Sequence, residues 1–527
     1  MLNKRTLVLA VFVFVCGWIL GSNKQPVPVI TSSVGGASYD GGYRTTAGDK
    51  VVAVTKRLST GTVHIINPGD SIQSVVEMSQ PGDTIQVLPG TYSETVYIDK
   101  DDIHLMGVID QGRRATLDGL GTLNDAILYS GNNIVIENFH IKDYKGNGIM
   151  GQAGNNFEIR NNLIVDTGIY GIFPQLGING LVEHNVVSGI ADAAIYIGMS
   201  DNVHVAFNEV FDSVAGIEIE NSRHAIVENN NAHNNTGGIL AFVTPGLPIK
   251  STEDVIIRNN FVSNNNTPNF GAPGSMVAGI PSGTGLLIMA ADDVIIEGNI
   301  ISNNKTSGII ISDHSYASNV TIDPHSEPNS DRTMILDNVM LNNGYDTIPE
   351  VMALALAELH TGPVDIVHAG PSEGSCINNR HRYLAVGIGN YENCDFTNTD
   401  NIRSYLLADG AEPRVISADD RGEIAYLGVC SGCHSFTGRL IGPPVPVIQA
   451  MYANNPEGLA KYINAPVKKR SNYPPMPAMS YLDPEITPLV PVLKSYWLTI
   501  HVSLIAGSYG FLMLGAIIGF INFPPFT

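Results

Sequence analysis

The chain has 527 residues, and its 50 Asp and Glu residues outnumber its 29 Lys and Arg residues, which gives a net charge of −21. Proteins that bind nucleic-acid phosphates need clustered Lys and Arg, so this acidic balance argues against a nucleic-acid partner. The chain is 44% hydrophobic and only 15% charged, which argues against a disordered protein. Its 54 Gly residues disfavour a mainly helical fold, and the composition therefore favours β-structure rich in turns.

The N-terminal residues have the features of an export signal. Lys4 and Arg5 precede an uncharged apolar run over residues 6–20. A basic segment followed by an apolar one is typical of secretory signals, but no clear cleavage site follows it. We predict that residues 1–22 are a signal peptide or an N-terminal anchor, and that the glycine-containing residues 23–57 are a flexible linker.

The dominant pattern in residues 58–345 is an internal repeat. An Asn follows a short β-branched run at seven positions, at intervals of 23, 23, 22, 30, 39 and 39 residues. One coil of this length cannot bury its apolar face, whereas stacked coils share a continuous core. The pattern predicts a right-handed parallel β-helix with an Asn ladder at one corner. The seven residues are Asn162, Asn185, Asn208, Asn230, Asn260, Asn299 and Asn338.

Alternation within each repeat predicts which side chains face the core. The residue three before each Asn is aliphatic, and the residue two before it is mostly charged, so the charged column should face outward. That column is Arg160, Glu183, Ala206, Glu228, Arg258 and Glu297.

The start of the repeat region resembles a known kind of protein. Residues 71–80 predict a short amphipathic helix, and the segment Pro-Gly-Asp-Thr-Ile-Gln-Val-Leu-Pro-Gly-Thr-Tyr follows at residues 81–92. This pair resembles the N-terminal cap and first coil of exported β-helix proteins of the pectate-lyase-like and copper-binding NosD-like type. The resemblance covers roughly residues 60–345 and implies the fold, whereas function depends on the sites that each such protein carries.

A second outward column follows the Gly positions of the repeat and is mostly apolar. Its members are Met150, Phe173, Tyr196, Glu218, Leu240, Leu287 and Ile310. Glu220 is the only nearby second carboxylate on the same strand, and a calcium site needs six to eight oxygen ligands, so this face is a poor lyase site. We predict a docking surface, for example for the C-terminal domain. Stacking of sugars on Phe173 and Tyr196 is the alternative.

Two further features lie near the end of the repeat. Residues 323–326, Asp-Pro-His-Ser, are similar to the Asp-Pro-His-Asp signature of mannuronan epimerases but lack its final Asp. An ordinary turn is the favoured interpretation of Asp323 and its neighbours. Residues 346–415 are predicted to be an irregular extension, in which Cys376 and Cys394 form a disulfide in an oxidising compartment.

The strongest functional motif is Cys-Ser-Gly-Cys-His at residues 430–434. Two thiols at this spacing, Cys430 and Cys433, can add to the vinyl groups of one haem, while His434 reaches the iron. A zinc site would need a second pair of ligands, and a thioredoxin-like dithiol would need a βαβ context. The motif therefore predicts covalent haem c.

The residues around this motif support the same prediction. Residues 416–488 resemble a class I monohaem cytochrome c, with Gly-Pro-Pro at 442–444 and a Met-Pro pair at 476–477. The resemblance implies that the carbonyl of Pro443 or Pro444 orients His434, and that Met476 is the second axial ligand, with Met479 as the alternative. Residues 468–470, Lys-Lys-Arg, could guide an acidic redox partner or be an ordinary solvated run.

The C-terminal residues 489–527 include an uncharged apolar run that is long enough to span a bilayer. About the last 40 residues resemble the opening of a membrane segment in the system II cytochrome c haem-attachment protein, where a histidine at the place of His501 handles haem. The Trp-rich motif and the other membrane helices of that family are missing. We therefore expect a membrane anchor rather than a haem lyase.

These features combine into one prediction. The expected fold is mainly β, a right-handed parallel β-helix followed by a small all-α cytochrome c domain and a C-terminal transmembrane helix. The expected function is periplasmic, membrane-anchored electron transfer to an unknown redox partner through one covalent haem held by Cys430, Cys433, His434 and Met476, with no catalytic residue assigned. The alternatives are a polysaccharide-active β-helix enzyme with an accessory haem, and a β-helix scaffold.

Overall fold

The computed structural model describes residues 61–273, 275–316, 323–415, 441–453 and 455–471, together with Tyr426, Cys430, Cys433, His434, Tyr473 and Met476. These residues form three parallel sheets around one continuous, largely aliphatic core. Along most of each sheet, a strand pairs in register with the strands of the coils before and after it. The predicted parallel β-helix is therefore confirmed.

The strands are numbered in chain order and are given sheet by sheet. Sheet A contains β1 (Val63–Ile66), β2 (Thr84–Val87), β5 (His104–Gly107), β8 (Val135–Glu137), β11 (Phe157–Arg160), β14 (Ile178–Glu183), β17 (Asp201–Ala206), β20 (Arg223–Glu228), β23 (Glu253–Arg258), β26 (Asp292–Glu297), β29 (Met334–Leu336) and β32 (Cys376–Ile377). Sheet B contains β4 (Val96–Ile98), β7 (Ile127–Tyr129), β10 (Ile149–Gln152), β13 (Ile172–Gln175), β16 (Ala193–Gly198), β19 (Ala215–Glu220), β22 (Gly237–Phe242), β25 (Thr284–Met289), β28 (Ser307–Ser312), β31 (Ile366–Ala369) and β33 (Ala385–Val386). Sheet C contains β3 (Gly90–Tyr92), β6 (Ala115–Asp118), β9 (His140–Lys142), β12 (Leu163–Val165), β15 (Val186–Ser188), β18 (Glu209–Phe211), β21 (Asn231–His233), β24 (Phe261–Ser263), β27 (Ile300–Ser302) and β30 (Val339–Leu341).

The helices are short and lie outside the coils. They are α1 (Ile72–Met78), α2 (Pro349–Ala357), α3 (Val445–Met451) and α4 (Pro456–Asn464), with 3₁₀ turns at Val277–Gly279, His314–Tyr316 and Arg380–Arg382. The helix α1 is the predicted cap helix. Its first turn is held by the Ser71 side chain, which accepts a hydrogen bond from the Ser74 main chain. Ile72 and Val76 are fully buried and close the first end of the core.

The seven repeated Asn residues form the predicted ladder. From Asn162 to Asn338, each side-chain amide nitrogen donates to the side-chain oxygen of the next Asn at 2.9–3.1 Å. The same side chains also bond buried main-chain groups of neighbouring coils, so those groups keep partners in the absence of water. A second ladder, which was not predicted, runs along another corner at 3.1–3.2 Å through Asn235, Asn265, Asn304 and Asn343.

The coils continue beyond the boundary predicted at residue 345. The strands β31, β32 and β33 extend sheets A and B in parallel register. The first part of residues 346–415, which was predicted to be irregular, therefore completes the last coils. Cys376 and Cys394 form the predicted disulfide within this region.

Residues 399–414 form an extended segment, called the strap here, that lies on the outer face of sheet A. Its first half is held by Arg258, whose guanidinium donates to the main-chain oxygens of Thr399 and Ile402 at 3.1 and 2.9 Å. The same guanidinium donates to Glu228 at 2.6 Å. The predicted charged column does face out of the sheet, but these two members of it are buried because the strap covers them.

Side-chain amides hold the second half of the strap. Asn156 bonds both main-chain groups of Ala411 at 2.7 Å, and Asn132 bonds both main-chain groups of Arg414 at 2.8 and 3.1 Å. Each side-chain amide thus satisfies the main-chain N–H and C=O groups that a neighbouring strand would otherwise bond. The strap thus crosses from late coils to early ones.

The fold-class prediction is wrong in its C-terminal part. The two short helices α3 and α4 share one apolar cluster with side chains of sheet B, so the described residues contain no distinct all-α cytochrome c domain. No helix in the described part of the chain is long and apolar enough to span a membrane. The predicted transmembrane segment 489–527 with His501, the predicted leader 1–22 and the linker 23–57 lie outside the described residues.

Candidate functional site

The four residues predicted to bind haem line one cleft. The cleft is open on one side and is formed by α3, α4 and the segments around them. Most of its lining is apolar or aromatic. The lining residues are Tyr426, Cys430, Cys433, His434, Ile441, Gly442, Pro443, Val445, Ile448, Met451, Tyr452, Leu459, Tyr462, Ile463, Lys468, Lys469, Arg470, Tyr473 and Met476.

The His434 ring is fixed by the turn that follows the motif. Its Nδ1 atom lies 2.8 Å from the main-chain oxygen of Pro443, which is one of the two prolines predicted to orient it. The other, Pro444, instead caps the N-terminus of α3. Gly442 allows this close approach, since a Cβ atom there would lie 2.2 Å from Cε1 of the ring. An Nδ1–H that donates to Pro443 leaves Nε2 as the lone-pair nitrogen.

Hydrogen bonds of the main chain bring both cysteines and His434 into one turn. The main-chain nitrogens of Cys433 and His434 donate to the carbonyl of Cys430 at 3.1 and 2.8 Å. Burial lowers the pKa of His434, although the hydrogen bond to Pro443 opposes this effect, so the ring is neutral near pH 7. A neutral imidazole is the form that coordinates metals.

The two thiols are free, and they are protonated in the environment that the structure gives them. Burial is the largest cause, and it raises the pKa of Cys430 to about 12 and that of Cys433 to about 11. A neighbouring Asp192 and Glu220 contribute to the higher pKa of Cys433. Such thiols are poor nucleophiles for disulfide exchange, which argues against a redox dithiol.

Met476 completes the predicted set, because it lines the same cleft as His434. The alternative ligand, Met479, lies outside the described residues. The basic run 468–470 also lies at the cleft. The Nζ atom of Lys469 lies 2.6 Å from the Tyr452 hydroxyl and 4.3 Å from the centre of the Tyr462 ring.

The outward column of sheet B is the docking surface that was predicted. Met150, Phe173, Tyr196 and Leu240 are buried in one apolar cluster with Leu459 of α4. The same cluster includes Ile463 and is packed against by Cys430, Ile448, Tyr452 and Met476. The docking prediction is confirmed, and the aromatic side chains offered for sugar stacking are buried in this structure rather than exposed.

Three carboxyl groups are buried behind this interface. Asp192 precedes β16, and Glu218 and Glu220 lie on β19; their residues are 8%, 1% and 6% exposed. The carboxylate of Glu220 accepts hydrogen bonds from the hydroxyls of Tyr196 and Thr244. One oxygen of Glu218 has no hydrogen-bond partner. The sequence pointed to both glutamates but missed Asp192, which lies in a turn outside the repeated columns.

Burial dominates the electrostatics of this acid cluster. It raises the pKa of Glu220 to about 7, despite the hydrogen bond from Thr244. It raises the pKa of Asp192 and of Glu218 well above their usual range, and each has a further carboxylate nearby that adds to the effect. Cys433 and the ring of Tyr170 are close enough to feel these charges.

The epimerase-like motif has a structural role. The Asp323 carboxylate accepts hydrogen bonds from Lys250 at 2.7 Å and from the main chain of Gly246 and His325 at 3.1 and 3.0 Å. These bonds tie two loops together, as an ordinary turn residue would. Nearby, Asp292, Glu327 and Asp331 place carboxylate oxygens within 4.8 Å of one another, and Arg332 already pairs with Asp292.

Comparison with known proteins supports the fold. The family model described as periplasmic copper-binding protein (NosD) matches residues 81–274, and the model described as right handed beta helix region matches residues 215–348. Together with the three parallel sheets, these matches show that the chain contains a right-handed parallel β-helix.

Several solved structures have a similar fold at low sequence identity. The mannuronan C-5 epimerase AlgE4 A-module of Azotobacter vinelandii is 14% identical, with 60% of this chain and 87% of that chain covered and a TM-score of 0.36. The alginate lyase of Paenibacillus sp. str. FPU-7 is 14% identical, with 55% and 99% covered and a TM-score of 0.41. The DFA-IIIase of Arthrobacter chlorophenolicus A6 is 13% identical, with 60% and 87% covered and a TM-score of 0.44.

A short stretch matches a curated protein more closely. Protein NrfI of Wolinella succinogenes is 66% identical over 41 residues, which are 8% of this chain. The chain thus spans only 4% of the length of that relative.

Proposed function

We propose that this protein is an electron carrier that binds one haem covalently through Cys430 and Cys433, with His434 and Met476 as axial ligands of the iron. The observation that supports it most is that these four side chains line one apolar cleft. Thiols at this spacing with an adjacent histidine are the attachment pattern of c-type haem.

The donor set also fits the group. A haem with two protein ligands supplies one-electron transfer, because no position on the iron is left open for a substrate. Pro443 would hold the imidazole of His434 in one tautomer, and Gly442 leaves room for the ring. The apolar lining would exclude water from the ring system.

We further propose that the protein works in the periplasm. The basic and apolar N-terminal residues and the family description of the NosD model both support export. The disulfide between Cys376 and Cys394 is also typical of an oxidising compartment.

The test is a spectrum of the purified full chain, expressed with a c-type haem maturation system. We expect a c-type haem absorbance that stays with the polypeptide after denaturation and extraction with acidified organic solvent. The variant in which Cys430 and Cys433 are both Ser should release its haem under the same treatment. Wild-type protein that gives up its haem, or never acquires it, would contradict the proposal.

A polysaccharide-active β-helix is a second candidate function. It is supported by the side chains of Glu218, Glu220 and Tyr196, which lie with Asp192 on the outer face of sheet B. A substrate would have to displace the docked C-terminal segment, because these side chains are buried. Incubation of the full chain with alginate and with pectate tests this candidate. If the incubation yields no unsaturated product and leaves the ratio of uronate epimers unchanged, this candidate is ruled out.

A further inference from the structure

We propose that oxidation of the haem in the cleft is coupled to release of a proton from the acid cluster of Asp192, Glu218 and Glu220, so that an electron and a proton leave together. This inference rests on the proposed haem site. It extends that function, because the coupling partner belongs to the β-helix and not to the cleft itself.

The acid cluster has no basic counter-charge among the described residues. The three carboxyl groups lie together, almost entirely buried. Among the described residues, no Lys, Arg or His side chain contributes to their ionisation. Three buried, unpaired carboxylates would be very costly, so the cluster must hold protons at neutral pH.

The acid cluster lies next to aromatic side chains of the β-helix and to a cysteine of the cleft. Among titratable groups, Tyr170 and Tyr196 face it from the β-helix, and Cys433 faces it from the C-terminal segment. The rings of Tyr170 and Tyr196 stack at 4.7 Å, and Phe173 contacts both at 4.5 and 4.6 Å. This aromatic layer belongs to the apolar cluster that also includes Cys430 and Met476. Cys433 therefore lines the cleft and is also close enough to Asp192 and Glu220 to feel their charges.

Oxidation of the haem changes the net charge of the site, and loss of a proton can cancel that change. Oxidation sends one electron from the iron to a one-electron acceptor protein and adds one positive charge to the site. Loss of one proton from a carboxyl group breaks its O–H bond, passes the proton to solvent and restores the original net charge. Reduction reverses both transfers. In surroundings of low dielectric constant, this compensation is strongly favoured.

Glu220 is the best candidate for the group that titrates. Its carboxylate form is stabilised by the hydroxyls of Tyr196 and Thr244, whereas Glu218 has one oxygen without a partner. Its pKa of about 7 also places its ionisation in the physiological range. Glu220 and Asp192 are 6% and 8% exposed, so the cluster is not completely sealed from solvent.

The test is an equilibrium redox titration of the haem-loaded full chain at a series of pH values around 7. We expect the midpoint potential of the wild type to fall by up to about 59 mV per pH unit, which corresponds to one proton per electron. The E220Q variant should keep its haem spectrum and lose this slope. As a control, E209Q removes an exposed carboxylate on β18 and should keep the full slope of potential against pH.

A second measurement needs no variant. Oxidation of the reduced wild type in weakly buffered solution with an indicator dye should release up to one proton per haem near pH 7. A haem-loaded wild type with a flat potential and no proton release overturns this inference alone. A slope that is unchanged in E220Q, D192N and E218Q also overturns it. A chain without covalent haem overturns the proposed function instead.

Discussion

The Nδ1 atom of His434 lies 2.8 Å from the main-chain oxygen of Pro443, and Gly442 is the residue that permits this contact. The bond selects one tautomer and fixes the plane of the imidazole before any ligand binds. A metal-binding histidine is held in place by a hydrogen bond from its other ring nitrogen. That bond sets both the orientation and the basicity of the imidazole.

Gly442→Ala should disrupt the orientation of His434. The added Cβ would lie 2.2 Å from Cε1 and 2.5 Å from Nδ1 of the ring, so the ring must move. We expect haem incorporation to fall on the order of tenfold, as for other losses of a ligand's supporting partner. Haem per polypeptide is the measurement. Gly389→Ala is the matched control, since nothing lies within 4 Å of a Cβ at that site; equal loss in both variants would count against the prediction.

Met476→Ala should change the spectrum without detaching the haem, because the thioethers of Cys430 and Cys433 would remain. We expect loss of the methionine-dependent absorbance band and a lower reduction potential, since methionine ligation raises the potential. Met451 lines the same cleft and is 46% exposed, so Met451→Ala serves as the control and should leave the band unchanged. A band that persists in Met476→Ala would assign the ligand to Met479.

Arg258→Met should destabilise the strap and the coils beneath it. Arg258 is 3% exposed and joins Glu228 to two carbonyls of the strap, so its loss leaves a buried carboxylate with fewer partners. We expect a loss of about 3–5 kcal/mol, measured by urea denaturation. Arg113→Met removes an exposed ion pair and should cost about 1 kcal/mol or less. Similar losses for the two variants would mean that the strap contributes little.

Asn208→Ala should interrupt the ladder in its middle. Its side-chain oxygen accepts from the main-chain nitrogen and the amide of Asn185, and both donors are buried. Each unsatisfied buried group costs about 1–3 kcal/mol, so the urea midpoint should fall clearly. Asn390→Ala removes an exposed amide bond to the main-chain oxygen of Ser372, at a site with ordinary backbone angles, and should hardly shift the midpoint.

The pH dependence of stability should show the contribution of Glu137. Burial alone would raise the pKa of this carboxyl, but His104 at 2.8 Å and Arg160 at 2.7 Å lower it to about 2 from its ordinary 4.5. A depressed carboxyl pKa stabilises the folded state above 4.5 and stops doing so as the pH falls towards 2. The stability difference between wild type and Glu137→Gln, measured by urea denaturation, should therefore shrink over this range. A constant difference would exclude this origin.

Much of the β-helix could be predicted because its signals repeat. Each Asn of the first ladder follows an aliphatic run, so period and alternation together fix the corner and the buried face. The second ladder has the same 30- and 39-residue intervals at Asn235, Asn265, Asn304 and Asn343, so an equal-spacing search would have found it. The haem motif was equally visible, because its chemistry depends on neighbouring residues in the chain.

The strap and the acid cluster were not predictable in the same way. The strap has no periodicity, and it is held by single amides such as Asn132 and Asn156, which look like ordinary turn residues in the sequence. Asp192 joins Glu220 only after coils of different length are stacked. In the described part of the chain, α3 and α4 share one apolar cluster with side chains of sheet B, so they do not form a separate helical domain, and the sequence pattern did not distinguish this packing from a separate domain.

The strap also changes how the coils can come apart. In a plain solenoid each coil contacts only its neighbours, so the terminal coil can peel away and the rest can follow one at a time. Here one continuous stretch of chain, residues 399–414, is fastened to the coil of Glu297 at one end and to the coil of Asn132 at the other. Unfolding that starts at the C-terminal end must therefore break the bonds of the strap, which spans the coils between these two points. Opening of these coils is therefore collective, because one strap joins coils that are far apart along the solenoid.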